Sequence, residues 1–129
     1  MTAISTAFGI VTRDIPTSVA FYRLLGLDIS EPTEDPHHSA ALPGGGRLMW
    51  DTEELMRQIK PTWQPPSGGP RLGLAIGLTS PDEVDAVYTR VVAAGNAGAA
   101  APWDAFWGQR YAQVVDPDGV IVDLFADLP

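Results

Sequence analysis

The residues most suited to chemistry are aromatic. The chain holds four tryptophans. Trp103 and Trp107 stand four residues apart, after an Ala/Gly-rich stretch and just before Gly108. On a helix they would share a face; on a loop they would project separately. Planar, electron-poor rings stack on indole or imidazole faces, and each aromatic pair adds about 0.5–1.5 kcal/mol beyond the area it buries. Both indoles could instead anchor the core. The neighbouring Pro102, Asp104 and Gly108 mark irregular backbone, which favours Trp107 as a wall of a small-molecule site. Trp103 is open between the two roles.

Other polar and aromatic residues extend this set. In the doublet His37-His38 the period-two alternation of a strand sends one ring to each face, so one imidazole can line a site. His37 is chosen; its competing role is a surface histidine beside Glu31, Glu34 and Asp35. The run Leu48-Met49-Trp50-Asp51 alternates as a strand. Met49 suits an adaptable floor, Trp50 an aromatic wall, and Asp51 a partner for a ligand ammonium or carbamate N–H, unless Asp51 caps the following helix. Arg110 could donate to ligand carbonyls or pair with Asp123; Tyr111 faces the opposite way. Trp63, in a Pro/Gly loop, is a candidate lid.

The elements that must hold these residues repeat. Thr6–Val11 reads as a strand, Asp14 and Pro16 open a helix, and Gly26 closes it. Ser39–Leu42 and Leu48–Trp50 are strands about the turn Pro43–Gly46. The order recurs: a strand at Leu72–Leu78, the capping box Ser80-Pro81-Asp82-Glu83, the apolar stripe Val84, Val87, Tyr88, Val91 and Val92, and a stop at Gly95. Strands at Arg110–Val115 and Val120–Phe125 flank the turn Asp116–Gly119. Phe21, Tyr22 and Tyr88 belong to helix packing. A short helix, capped by Thr52 or Asp51, runs to about Ile59, and Pro61, Pro65, Pro66 and Pro70 then forbid regular structure. The expected organisation is one domain over 1–129: a first module over about 1–60, a linker over 61–70, and a second module over about 71–129.

Composition sets the outer bounds. The chain has 129 residues, 45% of them hydrophobic, which suits one domain with a real core. Its net charge of −8 argues against nucleic acid and anionic membranes and suits a cationic or neutral small ligand. It has no cysteine, hence no disulfide, thiolate metal site or Cys nucleophile. No leader or membrane-length apolar run is visible, so a cytoplasmic location is expected.

Four stretches carry a resemblance: Val11–Ile15, Ala20–Gly26 with its Phe-Tyr-x-x-Leu-Gly motif, the helix Val84–Gly95, and Asp116-Pro117-Asp118-Gly119 before a strand. Together they resemble the vicinal-oxygen-chelate superfamily of glyoxalases, bleomycin-resistance proteins and dioxygenases. Within it, Pro36-His37, Leu48-x-Trp50-Asp51-Thr52, Trp63–Gly69, Pro102–Ala112 and Val122–Pro129 are most similar to the mitomycin-resistance proteins and related antitumour-antibiotic binders. The resemblance implies an α+β fold of two β-α-β-β-β modules forming a cupped mixed sheet, in a strand-exchanged homodimer with pockets made by both subunits. It also implies a fourth strand per module, near Leu27–Ser30 in the first and at Ala97–Ala101 in the second. It makes His37 the wall opposite Trp107.

Metal-dependent relatives carry a histidine in the opening strand of each module. The matching positions here are Ala7 and Gly73, and Asp123 stands where a last-strand Glu usually sits. The fourth position falls around Met49–Asp51, and one or two carboxylates with no imidazole make a poor transition-metal site, so no metal or cofactor is expected. Asp123 is expected to bond backbone or Arg110. No nucleophile is matched to His37 or His38.

The reading is therefore a non-enzymatic protein that binds and sequesters an aromatic or quinone antitumour antibiotic, mitomycin-like or an anthraquinone-fused enediyne. The expected ligand set is His37, Met49, Trp50, Asp51, Trp63, Trp103, Trp107, Arg110 and Tyr111. Two alternatives stay open: an enzyme of the same fold, metal-dependent or metal-free, and a binding module for an endogenous metabolite or an export partner.

Overall fold

A computed structural model describes residues 2–129. The chain divides into two compact units, one ending at Ser67 and the other spanning Gly68–Pro129. Both are mixed α+β units, each with one parallel strand pair whose connection contains a helix.

In the first unit, β1 (Ala7–Thr12) is followed by α1 (Ile15–Leu24), β2 (His37–Ala41), β3 (Arg47–Thr52) and α2 (Glu53–Ile59). The sheet order is β1-β3-β2; β1 runs parallel to β3, and β2 antiparallel to it. Asp14 caps α1 by accepting from the Thr17 amide at 3.0 Å, and Pro16 fills the first turn, where its missing N–H costs nothing. Alternation along β3 sends Leu48 and Trp50 into the core, where both are fully buried with Val19, Phe21 and Tyr22 of α1. Trp50 packs edge-on to Tyr22, with centroids 5.9 Å apart, and its indole N–H donates to Ser18 Oγ at 3.1 Å.

The strand expected near Leu27–Ser30 does not form. Leu27 and Ile29 are buried, but the Ile29 carbonyl accepts from Arg23 Nε and Nη2 at 3.0 and 2.8 Å. A guanidinium satisfies this backbone where a ladder would have, and Pro32 and Pro36 follow closely.

The second unit contains β4 (Leu74–Gly77), α3 (Pro81–Ala93), β5 (Gly98–Ala105), β6 (Gln109–Val115) and β7 (Ile121–Asp127), in the sheet order β4-β7-β6-β5. β4 is shorter than the expected Leu72–Leu78, and Leu72 is largely exposed. Ser80 caps α3, accepting from the Glu83 amide, while the Glu83 carboxylate reaches back to Thr79. Val84, Val87 and Val91 of α3 are buried, as are Ala112, Val114, Val122 and Leu124 of the sheet. β5 supplies the fourth strand of this unit. It runs past the expected Ala97–Ala101, with register shifts between Gly98 and Ala100 and between Ala100 and Trp103. Pro102 is tolerated because β5 is an edge strand. The Asp116 carboxylate accepts from the amides of Asp118 and Val120, both at 2.8 Å, which closes the β6–β7 turn. Among the described residues no helix is long and apolar enough to cross a membrane.

Ser18→Ala tests the first core. It leaves a fully buried indole N–H without an acceptor, which costs about 1–3 kcal/mol. The denaturant midpoint of the variant falls accordingly at unchanged slope, because the surface exposed on unfolding is the same.

Candidate functional site

In each sheet one face is covered by the long helix of its unit. The other face carries the candidate residues, and it differs in chemistry between the two units.

On the second sheet, the register places Gly77, Phe125, Tyr111 and Trp103 in one row across β4, β7, β6 and β5. A Cβ at Gly77 would lie 3.0 Å from the Phe125 ring, so glycine lets that ring settle onto the strand. Tyr111 stacks at 22° to Phe125, with centroids 6.4 Å apart. Tyr111 also meets Trp103 at 5.5 Å and Trp107 at 5.2 Å, in both cases edge-to-face. Trp107 belongs to the β5–β6 hairpin tip, which turns at Gly108 (φ 93°), a backbone conformation that favours glycine. The tip is held by the Leu128 amide donating to the Gly108 carbonyl at 3.0 Å. Trp103 is 38% exposed, Trp107 49% and Phe106 97%. The result is a broad aromatic surface in which Trp103, Phe106 and Trp107 are exposed, Tyr111 touches both indoles, and Phe125 stacks on Tyr111.

A polar border holds this surface in place. Trp107 Nε1 donates to Gln109 Oε1 at 2.8 Å, and Gln109 Nε2 donates to Asp127 at 3.1 Å. Tyr111 Oη donates to Asp123 Oδ2 at 2.6 Å, and Gln113 Nε2 donates to Asp123 Oδ1 at 2.9 Å. Burial first, and then the Asp123 carboxylate, push the Tyr111 phenol up from 10.0 to about 12.

Asp123 therefore does not pair with Arg110, as the sequence suggested. Arg110 points to the opposite face of β6. There it binds both oxygens of Asp85 on α3, at 2.9 and 3.2 Å, and Asp104 at 3.1 Å. The Asp85 hydrogen bond in particular raises the guanidinium above its ordinary value. Arg110 thus braces helix to sheet, and the structure removes it from the aromatic face.

On the first sheet, the uncovered face carries Val11, Asp51 and His37 in one row and Gly9, Met49 and Ser39 in the next. The two histidines separate as a strand requires. His38 lies near Trp50, with centroids 5.9 Å apart, and its Nε2 contacts the Ser30 carbonyl at 3.0 Å. His37 sits opposite Asp51 in the register, and its Nδ1 lies 2.5 Å from Asp51 Oδ1. Thr52, not Asp51, caps α2, accepting from the Leu55 amide at 3.0 Å. The carboxylate of Asp51 is thereby left to His37, a pairing the sequence did not suggest.

One further expectation is corrected. Trp50 lies wholly within the core of the first unit and offers no surface to a ligand. Its strand parity, shared with Leu48, carries that signal in the sequence. Trp63 follows the end of α2: its amide donates to the Lys60 carbonyl at 2.9 Å, and the Arg57 guanidinium lies 5.2 Å from its ring centroid. Phe106, which the sequence reading passed over, joins the aromatic surface through Trp107 at 5.1 Å; its place in a hairpin tip was the available signal.

The metal positions of metal-dependent relatives do not fit an ion here. Ala7 and Gly73 have no side-chain donor atom, and both Asp123 oxygens already accept hydrogen bonds. Among the described residues no group of three or more His, Cys, Asp or Glu side chains could hold a metal.

The phenol of Tyr111 gives a direct check of the polar border. Its raised folded value means that its stabilisation is complete below about pH 10 and is lost as pH rises through about 12. Ultraviolet titration of the folded protein shows a late phenolate step near 12 that Tyr111→Phe removes.

Comparison with known proteins follows the same architecture. The family model described as Glyoxalase/Bleomycin resistance protein/Dioxygenase superfamily matches residues 4–124. No curated protein matches the chain. Among solved structures, a glyoxalase/bleomycin resistance protein/dioxygenase from Nocardioides shares 29% identity over 99% of this chain and 85% of its own, with a TM-score of 0.73. The hypothetical protein SA1046 from S. aureus shares the fold at 20% identity and TM-score 0.82, over 98% of this chain and 95% of its own. TioX from Micromonospora sp. ML1 does so at 21% identity and TM-score 0.61, over 98% of this chain and 100% of its own. With 4–124 matched and two mixed-sheet units of the corresponding kind, this chain belongs to the glyoxalase/bleomycin resistance/dioxygenase superfamily.

Proposed function

We propose that this protein binds and sequesters a flat aromatic or quinone antitumour antibiotic without transforming it, and so protects the cell that makes or meets the drug. The observation that carries the reading is the exposed ring surface of Trp103, Phe106 and Trp107, braced by Tyr111 and Phe125. A folded chain has little reason to hold two indoles half in solvent unless something covers them. A planar ligand laid on such rings gains both buried apolar area and ring–ring contact. A submicromolar constant needs more than about 8 kcal/mol, within reach of a fused-ring ligand covered on one or both faces.

The resemblance to the mitomycin-resistance proteins selects the ligand class, a mitomycin-like quinone or an anthraquinone-fused enediyne. The same resemblance brings a homodimer in which a second subunit closes over the ligand. The net charge of −8 also tolerates a cationic appendage on the drug. Binding, rather than catalysis, is supported by donor chemistry, since Asp123 is engaged and Ala7 and Gly73 offer no ligand atoms.

Titration of the intrinsic tryptophan fluorescence with mitomycin C, an anthraquinone-fused enediyne and bleomycin tests the proposal, with mass analysis of the recovered ligand. Saturable quenching by one of the first two, with that ligand recovered unchanged, is the expected result. A modified ligand would make the protein an enzyme. Trp107→Ala weakens binding at least about tenfold, or about 1.4 kcal/mol, and leaves the circular dichroism spectrum intact. Prior treatment with a chelator changes neither the affinity nor the melting temperature; a large loss of either would restore a metal to the site.

A further inference from the structure

The tip of the β5–β6 hairpin is held twice by the end of β7. The first hold is backbone: the Leu128 amide donates to the Gly108 carbonyl at 3.0 Å. The second is made by side chains. Gln109 and Asp127 are register partners across the β6–β7 ladder, and Trp107 stands two residues before Gln109, across Gly108. Trp107 Nε1 donates to Gln109 Oε1 at 2.8 Å, and Gln109 Nε2 donates to Asp127 Oδ1 at 3.1 Å. The ladder and the Gly108 turn place the backbone, so the freedom left to Trp107 is that of its side-chain torsions.

This chain of bonds has only one workable polarity. An indole N–H only donates, and a carboxylate only accepts. The amide between them must turn its oxygen to Trp107 and its nitrogen to Asp127. Flipping it would set donor against donor at one end and acceptor against acceptor at the other. Asp127 thereby fixes the amide, and the amide fixes the indole edge. The other carboxylates on β5 and β7 are engaged elsewhere: Asp123 accepts from Tyr111 and Gln113, and Asp104 from Arg110. With its edge held, the Trp107 ring stands at 79° to Tyr111, 89° to Trp103 and 87° to Phe106. Its N–H is already used, so it offers a ligand ring surface and no hydrogen-bond donor.

We propose that Asp127 is a positioning residue of the aromatic surface: acting through Gln109, it sets the orientation of the Trp107 indole and withholds the indole N–H from the ligand. The consequence for binding, a surface that selects by stacking, rests on the antibiotic-binding reading. The positioning itself is a property of the free protein. Both links lie partly in solvent, so the equilibrium between held and free indole shifts by about threefold when Asp127 is removed.

Nitrogen-15 spectra of the full chain carry one indole N–H signal per tryptophan, and Trp107→Phe identifies the Trp107 signal by its loss. The readout is the solvent exchange of that N–H, with the Leu128 amide as the reference for the hairpin tip. Asp127→Ala is expected to speed indole exchange about threefold and to leave the Leu128 amide unchanged. Asp127→Asn keeps an acceptor for Gln109 and exchanges at the parent rate. Gln109→Glu sets two carboxylates against each other and speeds exchange as Asp127→Ala does. Gln109→Glu combined with Asp127→Asn reverses the second link, because the new amide donates to the new carboxylate, and the parent rate returns. Indole exchange unmoved by Asp127→Ala, a double variant that is not restored, or a Leu128 amide that speeds together with the indole overturns the proposal. In the fluorescence titration with mitomycin C, Asp127→Ala weakens binding about threefold and the double variant restores it; unchanged affinity in Asp127→Ala overturns the consequence for the ligand. Absence of mitomycin C binding by the unaltered protein counts against the antibiotic reading alone, because the exchange rates decide the positioning without a ligand.

Discussion

Each unit has a sheet with two faces and only one helix with a buried stripe to cover them. α1 buries Ile15, Val19, Phe21 and Tyr22, and α3 buries Val84, Val87 and Val91, whereas α2 buries nothing. Period-two alternation then forces every second residue of each strand away from its helix. The outward-facing, half-buried sets follow from that constraint: Met49 and Asp51 on β3, Asp123 and Phe125 on β7, Tyr111 and Gln113 on β6. The candidate side chains collect on the uncovered faces because the covered ones are filled by the core.

The two units share a plan and differ in what they expose. β3 and β7 each run parallel to the first strand of their unit. On β7 the outward residues join an aromatic row with a hydrogen-bonded acidic border. On β3 they form a sparse polar face around Met49 and Gly9. The difference lies in a few side chains, while the backbone frame is held by caps and turns common to both halves. Asp14 and Ser80 cap the helices, and Gly26 and Gly95 follow their ends in a left-handed conformation.

Much of this was legible in the sequence. The capping residues, the turn Asp116–Gly119 and the alternation of β3 and β6 are local signals, and local signals place elements well. Pairing between distant side chains is a different matter. The alternation separated Arg110 from Tyr111 correctly, yet the partner of Arg110 is Asp85 on α3, which only the packing of helix on sheet brings near. His37 and Asp51 meet because of the β2–β3 register, which a sequence states weakly when the turn Pro43–Gly46 contains three glycines. Where a strand was expected near Leu27–Ser30, the Ile29 carbonyl accepts from the side chain of Arg23 six residues earlier, a side-chain-to-backbone bond that propensity does not contain. Trp50 was misread in role although its parity with Leu48 was visible, since an aromatic on a strand serves the core as readily as a ligand.

The embrace of Asp123 by Tyr111 and Gln113 has an evolutionary consequence. A descendant of this protein that gained an ion-dependent chemistry at the superfamily positions would need donor atoms at Ala7 and Gly73 and a carboxylate freed from two hydrogen bonds. Freeing Asp123 by removing Tyr111 dismantles the stack on Phe125 and the contacts to both exposed indoles. The acidic border and the aromatic row are therefore not separable: a change that frees the carboxylate also disturbs the rings beside it.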